Sequence, residues 1–213
     1  MNIVDETARA LLDLFAPTPC CACGAPSPRS ALCDPCAVSC VDATDPLPGI
    51  EVAHDHGGAL ARAVHRAKYG GDPCTAARLG TLVLPLLSRV THGVDVVVPV
   101  ALHRSRLRVR GYNQAMELAR PVARALRVGL WAEGLRRVRD TPTQTELGRE
   151  ARARNVDGAF VAARPMTGLR VLVVDDVVTT GATLGAAMEA LRGAGAEHVT
   201  GLAVARMARL FAR

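Results

Sequence analysis

Apolar residues recur along this chain with two different periods, and the alternation between them predicts its architecture. Val4, Ala8, Leu11, Leu12 and Phe15 fall at helical spacing and predict an amphipathic first helix that Pro17 ends. Leu60 to Tyr69 predicts a helix stopped by Gly70-Gly71-Asp72-Pro73. Leu79, Leu82, Val83, Leu86, Leu87 and Val90 predict another, which Pro85 should kink. Short unbroken apolar runs behave differently. Val94 to Val98, bounded by Gly93 and Pro99, predicts a buried strand, as do Val171 to Val174 and Val199 to Ala205. Between these runs lie two further helical faces. Leu118, Val122 and Leu126 form one, with Pro121 inside it; Leu184, Ala187, Met188 and Leu191 form the other, closed by Gly193 and Gly195. Strands alternating with helices of this length predict an α/β fold with a mainly parallel sheet flanked by helices.

Length and composition set the scale of that fold. At 213 residues and 49% hydrophobic content the chain can bury a real core, which excludes disorder as a description of the whole. Aromatics are only 3%, so the core must be built from Val, Leu and Ala. The predicted division is a small module over 1–48, containing the first helix and a cysteine-dense segment, followed by the main domain over 49–213. The polar stretch Val41 to Pro48 connects them. No apolar run reaches the roughly 18 residues a membrane helix needs, so no membrane insertion is expected. Asp5 and Glu6 stand where a secretory signal would be basic, which predicts a cytoplasmic protein whose cysteines are reduced or metal-bound.

Charge points to anionic partners, since the net charge is +6. Almost all of the positive charge is arginine, and Lys68 is the sole lysine. Either a compact ammonium is needed there, or Lys68 is a solvated charge at a helix end.

The densest chemical signal is Val171-Leu-Val-Val-Asp-Asp-Val-Val-Thr-Thr-Gly-Ala-Thr183. An apolar strand delivers Asp175 and Asp176 to its C-terminal edge, where open α/β sheets bind ligands. A loop of hydroxyls and Gly181 then opens a helix. Backbone N–H groups at that helix N-terminus, with the Thr179, Thr180 and Thr183 hydroxyls, would cradle a phosphate. The two acids would accept hydrogen bonds from sugar hydroxyls. The Gly-Lys-Ser/Thr ending of a nucleotide-triphosphate loop is missing, and so is the dinucleotide glycine pattern.

Arg104, Arg106, Arg108 and Arg110 follow the Val94–Val98 strand. At a strand's C-terminal end they could meet a pyrophosphate, with Asn113 capping the next helix. A solvated basic turn or a nonspecific nucleic-acid patch fits the same residues. The six histidines are scattered, and nothing supplies an obvious general acid or base, so no catalytic residue is assigned.

Cys20-x2-Cys23 and Cys33-x2-Cys36 form two knuckles, and four thiolates satisfy tetrahedral zinc with no position left for water. The site is therefore expected to be structural, with Cys21 and Cys40 as alternative ligands. Cys74 stands apart and is expected to be a buried small residue.

These segments together resemble a known family. Val171 to Thr183 is similar at every position to the 5-phosphoribosyl pyrophosphate (PRPP) motif of type I phosphoribosyltransferases. That resemblance implies sugar-hydroxyl contacts from Asp175 and Asp176. It also implies a 5-phosphate cradle from Val178, Thr179, Thr180, Gly181, Ala182 and Thr183, and Mg2+ accompanying the pyrophosphate. Three further segments narrow it: Lys68-Tyr69-Gly70-Gly71-Asp72; Pro99-Val100 through Arg106, Arg110, Gly111, Tyr112, Asn113 and Gln114; and Arg139, Thr141, Gln144, Leu147, Arg152 and Asn155. With the cysteine module in front, their order resembles the ComF family, associated with natural competence and uptake of single-stranded DNA. Lys68, Arg104, Arg106, Arg110 and Arg139 become candidates for the pyrophosphate and its covering loop. Arg139 to Asn155 resembles in position the mobile loop that closes over the reaction centre of transferase relatives. His56 departs from the family pattern, which has an aromatic there, and Pro85 and Pro121 interrupt helices. The implied function is a protein that binds PRPP or a related sugar phosphate. It would act with a helicase-like competence partner on incoming single-stranded DNA. The alternative is an active phosphoribosyltransferase acting on a base or amine.

Overall fold

The computed structural model describes residues 17–44, 47–90, 92–139 and 158–207. The predicted first helix and the segment 140–157 lie outside the described residues. The elements in chain order are α1 (Asp34–Val38), β1 (Ile50–Asp55), α2 (Gly58–Tyr69), α3 (Pro73–Leu79), a 3-10 helix (Gly80–Arg89), β2 (Val96–Pro99), α4 (Arg104–Arg110) and α5 (Gln114–Leu126). They continue through β3 (Gly129–Leu130), β4 (Leu135–Arg137), β5 (Phe160–Ala162), β6 (Arg170–Val178), α6 (Ala182–Gly193) and β7 (His198–Arg206).

Five strands form one parallel sheet in the order β1-β7-β6-β2-β3, and β4 pairs antiparallel with β5 as a separate hairpin. Both faces of the sheet are buried, which is why its strands are unbroken valine-rich runs rather than alternating ones. On one face Val97, Leu172, Val174, Leu202 and Val204 pack with α2, α3, the 3-10 helix and α5. On the other, Val96, Val98, Val171 and Val173 pack with Leu184, Ala187, Met188 and Leu191 of α6 and with Leu135 and Phe160 of the hairpin.

Two prolines behave differently from expectation. The periodicity over 79–90 predicts a kinked α-helix; instead α3 ends at Leu79 and the chain tightens into a 3-10 helix that contains Pro85. An i→i+3 turn avoids the clash of a proline ring with the carbonyl four residues back. Pro121 sits within a continuous α5, and Gly80 makes room for it. A Cβ at Gly80 would lie 2.4 Å from the Leu118 carbonyl oxygen and 2.8 Å from Pro121 Cγ, so only glycine permits this approach.

The cysteine segment docks on the main domain. Its Cys20, Cys21, Ala22, Ala31 and Leu32 are buried in one cluster with Leu60, Ala63 and Val64 of α2 and Ala76 and Leu79 of α3. Arg78 holds the contact together, donating to the carbonyls of Pro19, Ser27 and Ser30. The stretch after it is polar in sequence yet ordered by β1: Ala43 N–H donates to the Ala53 carbonyl at 3.2 Å, and Asp55 N–H to that of Val41 at 2.7 Å.

Candidate sugar-phosphate site and cysteine cluster

The strand order contains one reversal. From β2 the chain moves outward to β3, then returns to place β6 on the other side of β2 and β7 beyond it. The crevice at the carboxyl ends of β2 and β6 is thus the topological switch point where open α/β sheets bind ligands. β6 pairs with β2 only as far as Val174 opposite Pro99, with Val100 N–H donating to the Val174 carbonyl at 2.9 Å. Beyond that register β2 departs, while β6 continues beside β7 as far as Val178 opposite Arg206. Asp175, Asp176 and Val177 therefore extend past their neighbour and open the edge.

The apolar run predicts a strand over 171–174, but β6 continues through both acids to Val178, so the two carboxylates face opposite sides of the sheet. Asp175 lies on the α6 side. With Val177, Val178, Thr179, Gly181, Ala182, Thr183 and Leu184 it lines a small open cleft. Burial and the neighbouring Asp176 charge push its carboxyl up to about 7. Its own backbone neighbour, the Asp176 N–H at 2.9 Å, and the charges of Lys68 and Arg137 oppose that rise. Asp176 lies on the α2 side, where Lys68 Nζ at the end of α2 is 3.1 Å from its Oδ2, with both side chains largely buried (24% and 16% exposed). His56, just after β1, sits near this pair; burial and then the Lys68 charge hold its imidazole below its ordinary range.

The loop after β6 turns into α6 at Gly181, whose φ of 82° is left-handed and disfavours any side chain. A Cβ there would meet only Ile50 Cδ1 at 3.5 Å and the Leu47 methyls, so it is backbone conformation that imposes the glycine. Thr180 Oγ1 accepts from Ala182 N–H at 3.4 Å, starting the helix. The Val178 side chain is buried in the core, so only its main chain is open to the predicted cradle.

The arginine segment is a short helix, α4, rather than a turn. His103 caps it by accepting from Ser105 N–H at 3.4 Å, and Gly111 ends it. Asn113 caps α5 as the sequence predicts, accepting from Ala115 N–H at 3.1 Å while donating to the Val100 carbonyl at 3.0 Å. Arg106 and Arg110 are half-buried, whereas Arg104 and Arg108 are exposed. Arg110 donates to Gln114 Oε1 at 3.0 Å and lies over the Tyr69 ring, 5.3 Å from its centroid. The Tyr112 hydroxyl donates to the Ala67 carbonyl and approaches that of Asp72 at 3.3 Å, which ties the end of α2 to the start of α5. Lys68 and Arg110 are thereby brought to the same side of the sheet. Arg139 stands at the last described position before 140–157, and the rest of the predicted covering loop lies outside the described residues.

Sequence reasoning misses Arg137. It is carried by the β4–β5 hairpin, where its guanidinium lies 5.4 Å from the Phe160 centroid and its charge reaches Asp175. A three-residue strand leaves too short a pattern to find.

The cysteine cluster is compact. The sulfurs of Cys20, Cys23, Cys33 and Cys36 all lie within 4.8 Å of one another, and those of Cys23 and Cys33 are 3.6 Å apart. Tetrahedral bonds of about 2.3 Å place thiolates roughly 3.8 Å apart, so the four could hold a metal ion such as zinc. Burial raises the Cys20 thiol, but N–H groups of Cys23, Cys33 and Ala22 outweigh it and bring it down to about 6. Cys36 is pushed up to about 12 by burial and by sharing hydrogen bonds with the other three. Cys21 and Cys40 are directed elsewhere: Cys21 Sγ is buried 3.9 Å from the Thr75 carbonyl oxygen, and Cys40 Sγ lies 3.4 Å from that of Cys36. Cys74, expected to be buried, is exposed at the start of α3, because its position follows the Asp72 cap rather than the apolar face.

The chain is similar to several known proteins. The phosphoribosyl transferase domain family matches residues 113–210. The DNA utilization protein YhgH of Salmonella typhimurium is 34% identical over 185 residues, covering 84% of this chain and 80% of its own length. This chain belongs to the ComF family. Competence protein F of Haemophilus influenzae is 36% identical over 115 residues, 53% of this chain and 50% of that protein. The glutamine PRPP amidotransferase of B. subtilis overlaps with a TM-score of 0.45 at 22% identity, covering 65% of this chain and 30% of that one. This chain joins a type I phosphoribosyltransferase fold to an N-terminal cysteine module. Among the described residues, no helix is long and apolar enough to cross a membrane.

Proposed function

We propose that this protein binds PRPP or a related ribose phosphate at the β6–α6 edge and serves the handling of incoming single-stranded DNA in the cytoplasm, beside a helicase-like partner. The observation that carries the first half is the opening of β6 past β2 at the switch point. It leaves Asp175 lining the same cleft as the Gly181 loop and the start of α6, the edge at which open α/β sheets take phosphate ligands. In this reading the phosphate takes the N–H groups and hydroxyls of Thr179, Thr180, Ala182 and Thr183, and Asp175 accepts from the ribose hydroxyls. Asp176 joins it once Lys68 turns to the pyrophosphate. Mg2+ arrives with the pyrophosphate as part of the ligand, a hard cation suited to carboxylate and phosphate oxygens. Zinc takes the cysteine cluster. The second half is supported by the names of the relatives, DNA utilization protein and competence protein F.

Isothermal titration with PRPP and Mg2+ tests the ligand. Saturable binding that Asp175→Asn weakens is expected, and absence of binding to the wild-type protein sinks the reading. Release of pyrophosphate in the presence of a base or amine would make the protein a transferase rather than a binding protein.

A further inference from the structure

The exposed face of α2 and the exposed side chains of α4 have chemistry beyond the β6–α6 edge. Arg62, His65, Arg66 and Tyr69 are all exposed, and their spacing of three, four and seven residues from Arg62 puts them in one stripe along α2. Neither α2 nor α4 contains an acidic residue. At the end of the stripe Tyr69 is 64% exposed, in a chain with two tyrosines. The His65 ring is tilted against it at 4.8 Å, and the Arg110 guanidinium covers it at 5.3 Å. Arg110 closes α4, which presents Arg104 and Arg108 to solvent together with Val109, 88% exposed.

From this juxtaposition we infer that α2 and α4 form a docking track for single-stranded nucleic acid, with Tyr69 as the ring on which an unpaired base stacks. The surface is complementary to a polyanion along its whole length, since phosphates meet Arg62, Arg66, Arg104 and Arg108 with no carboxylate on either helix to repel them. Charge alone would suit a duplex or an acidic peptide equally. The exposed ring decides for a single strand: bases in a duplex are already stacked, whereas an unpaired base gains a partner in Tyr69, and Arg110 behind the ring adds a cation to the stack. The half-burial of Arg106 and Arg110 makes them supports of the track rather than its phosphate contacts. This inference rests on the proposed nucleic-acid partner and is independent of the sugar-phosphate ligand.

The test is fluorescence anisotropy with a labelled oligothymidylate over a range of salt, using the full zinc-loaded chain. Tyr69→Ala is expected to weaken binding about tenfold, and Tyr69→Phe, which keeps the ring, to bind as the wild type does. Arg104→Ala with Arg108→Ala should flatten the slope of log affinity against log salt by about 1.4. Unlabelled duplex and polyglutamate should compete poorly. Failure of the wild-type chain to bind any single strand would overturn the partner and the track together. Wild-type binding that all these variants leave intact would overturn the track alone. Loss in Tyr69→Phe equal to that in Tyr69→Ala, or polyglutamate competing as well as the strand, would overturn base stacking as its basis.

Discussion

The cysteine cluster and the sugar-phosphate edge are built from opposite kinds of information. The cluster draws all four of its sulfurs from 17 consecutive residues, Cys20 to Cys36, and turns of the local backbone bring them together: Gly24 N–H donates to the Cys20 carbonyl at 3.0 Å, and Ala37 N–H to that of Cys33 at 2.9 Å. The edge draws its parts from β6, the α6 turn, the end of α2 and the β4–β5 hairpin, and it exists only because the sheet reverses between β2 and β6. A cluster made by local turns should depend chiefly on whatever metal its four thiols hold. A site made by topology should tolerate loss of one group in fold while losing it in function.

The largest effect is expected at the cluster. Structural zinc contributes about 10–16 kcal/mol to small modules at neutral pH, comparable to or larger than the whole stability of a typical domain. Metal analysis should give about one zinc per chain, and Cys36→Ser should give none. Because Cys20, Cys21 and Leu32 share a core with α2 and α3, the loss should lower the urea midpoint of the entire domain and not only of the module. A Cys36→Ser chain that keeps both its zinc and its midpoint would break the contrast at its stronger side.

A smaller effect is expected at the pair Lys68–Asp176. Lys68→Met leaves a mostly buried carboxylate without its ammonium partner, costing about 2 kcal/mol after allowance for the partial exposure of both groups. The double variant Lys68→Met with Asp176→Asn should recover most of that stability while still failing to bind PRPP. Denaturation curves separate these outcomes, and additive losses in the double variant would show that the two groups do not interact.

Smaller still is the backbone effect at Gly181. Valine there must adopt a φ of 82°, at a cost of roughly 1–2 kcal/mol. Since a Cβ would only touch Ile50 and Leu47, the fold should survive and the turn into α6 should shift. Gly181→Ala, with the same strain and less bulk, should lose a similar amount of stability by thermal denaturation. A much milder alanine variant would point to crowding instead.

The same contrast explains what the sequence reveals. The sulfur set follows from two Cys-x2-Cys spacings, and Cys21 and Cys40 fall away only when their thiols are seen against the Thr75 and Cys36 carbonyls. The strand, the Gly181 turn and the α6 face are equally legible, because each is a local pattern. Lys68 stands out in composition as the sole lysine, yet its bond to Asp176 depends on which helix covers which face of the sheet. Arg78 gives no signal at all, although three carbonyls of the cysteine module converge on it, since an arginine on a helix looks the same whether solvated or docked. The division of labour between the adjacent acids is hidden for a related reason. Two neighbouring acids look alike until the strand is seen to run through them and turn them to opposite faces.

The last prediction separates those two acids by titration. Asp175 has its carboxyl raised from 3.8 to about 7 by burial and by the Asp176 charge. Between these values the native protein holds a proton that the unfolded chain has released. Stability therefore falls as pH rises through that window and levels off above it. This is the reverse of a salt-bridged carboxylate such as Asp95, held at about 2 by Arg170, whose contribution is present above 3.8 and lost as pH falls toward 2. Asp175→Asn should abolish the decline, leaving the variant at least as stable as the wild type above pH 7. It should also lose PRPP affinity by about tenfold, the order expected for one charged hydrogen bond to a hydroxyl. Wild-type affinity should climb as pH passes through about 7 and Asp175 gains its charge, while the variant keeps only the shallower slope from ionisation of the ligand phosphate. Chemical denaturation at pH 5 and pH 8, paired with titration of PRPP at the same two values, measures both consequences. If the wild type is equally stable at both and its affinity does not change, Asp175 is already ionised, and the acid facing the cleft differs from Asp176 in position only.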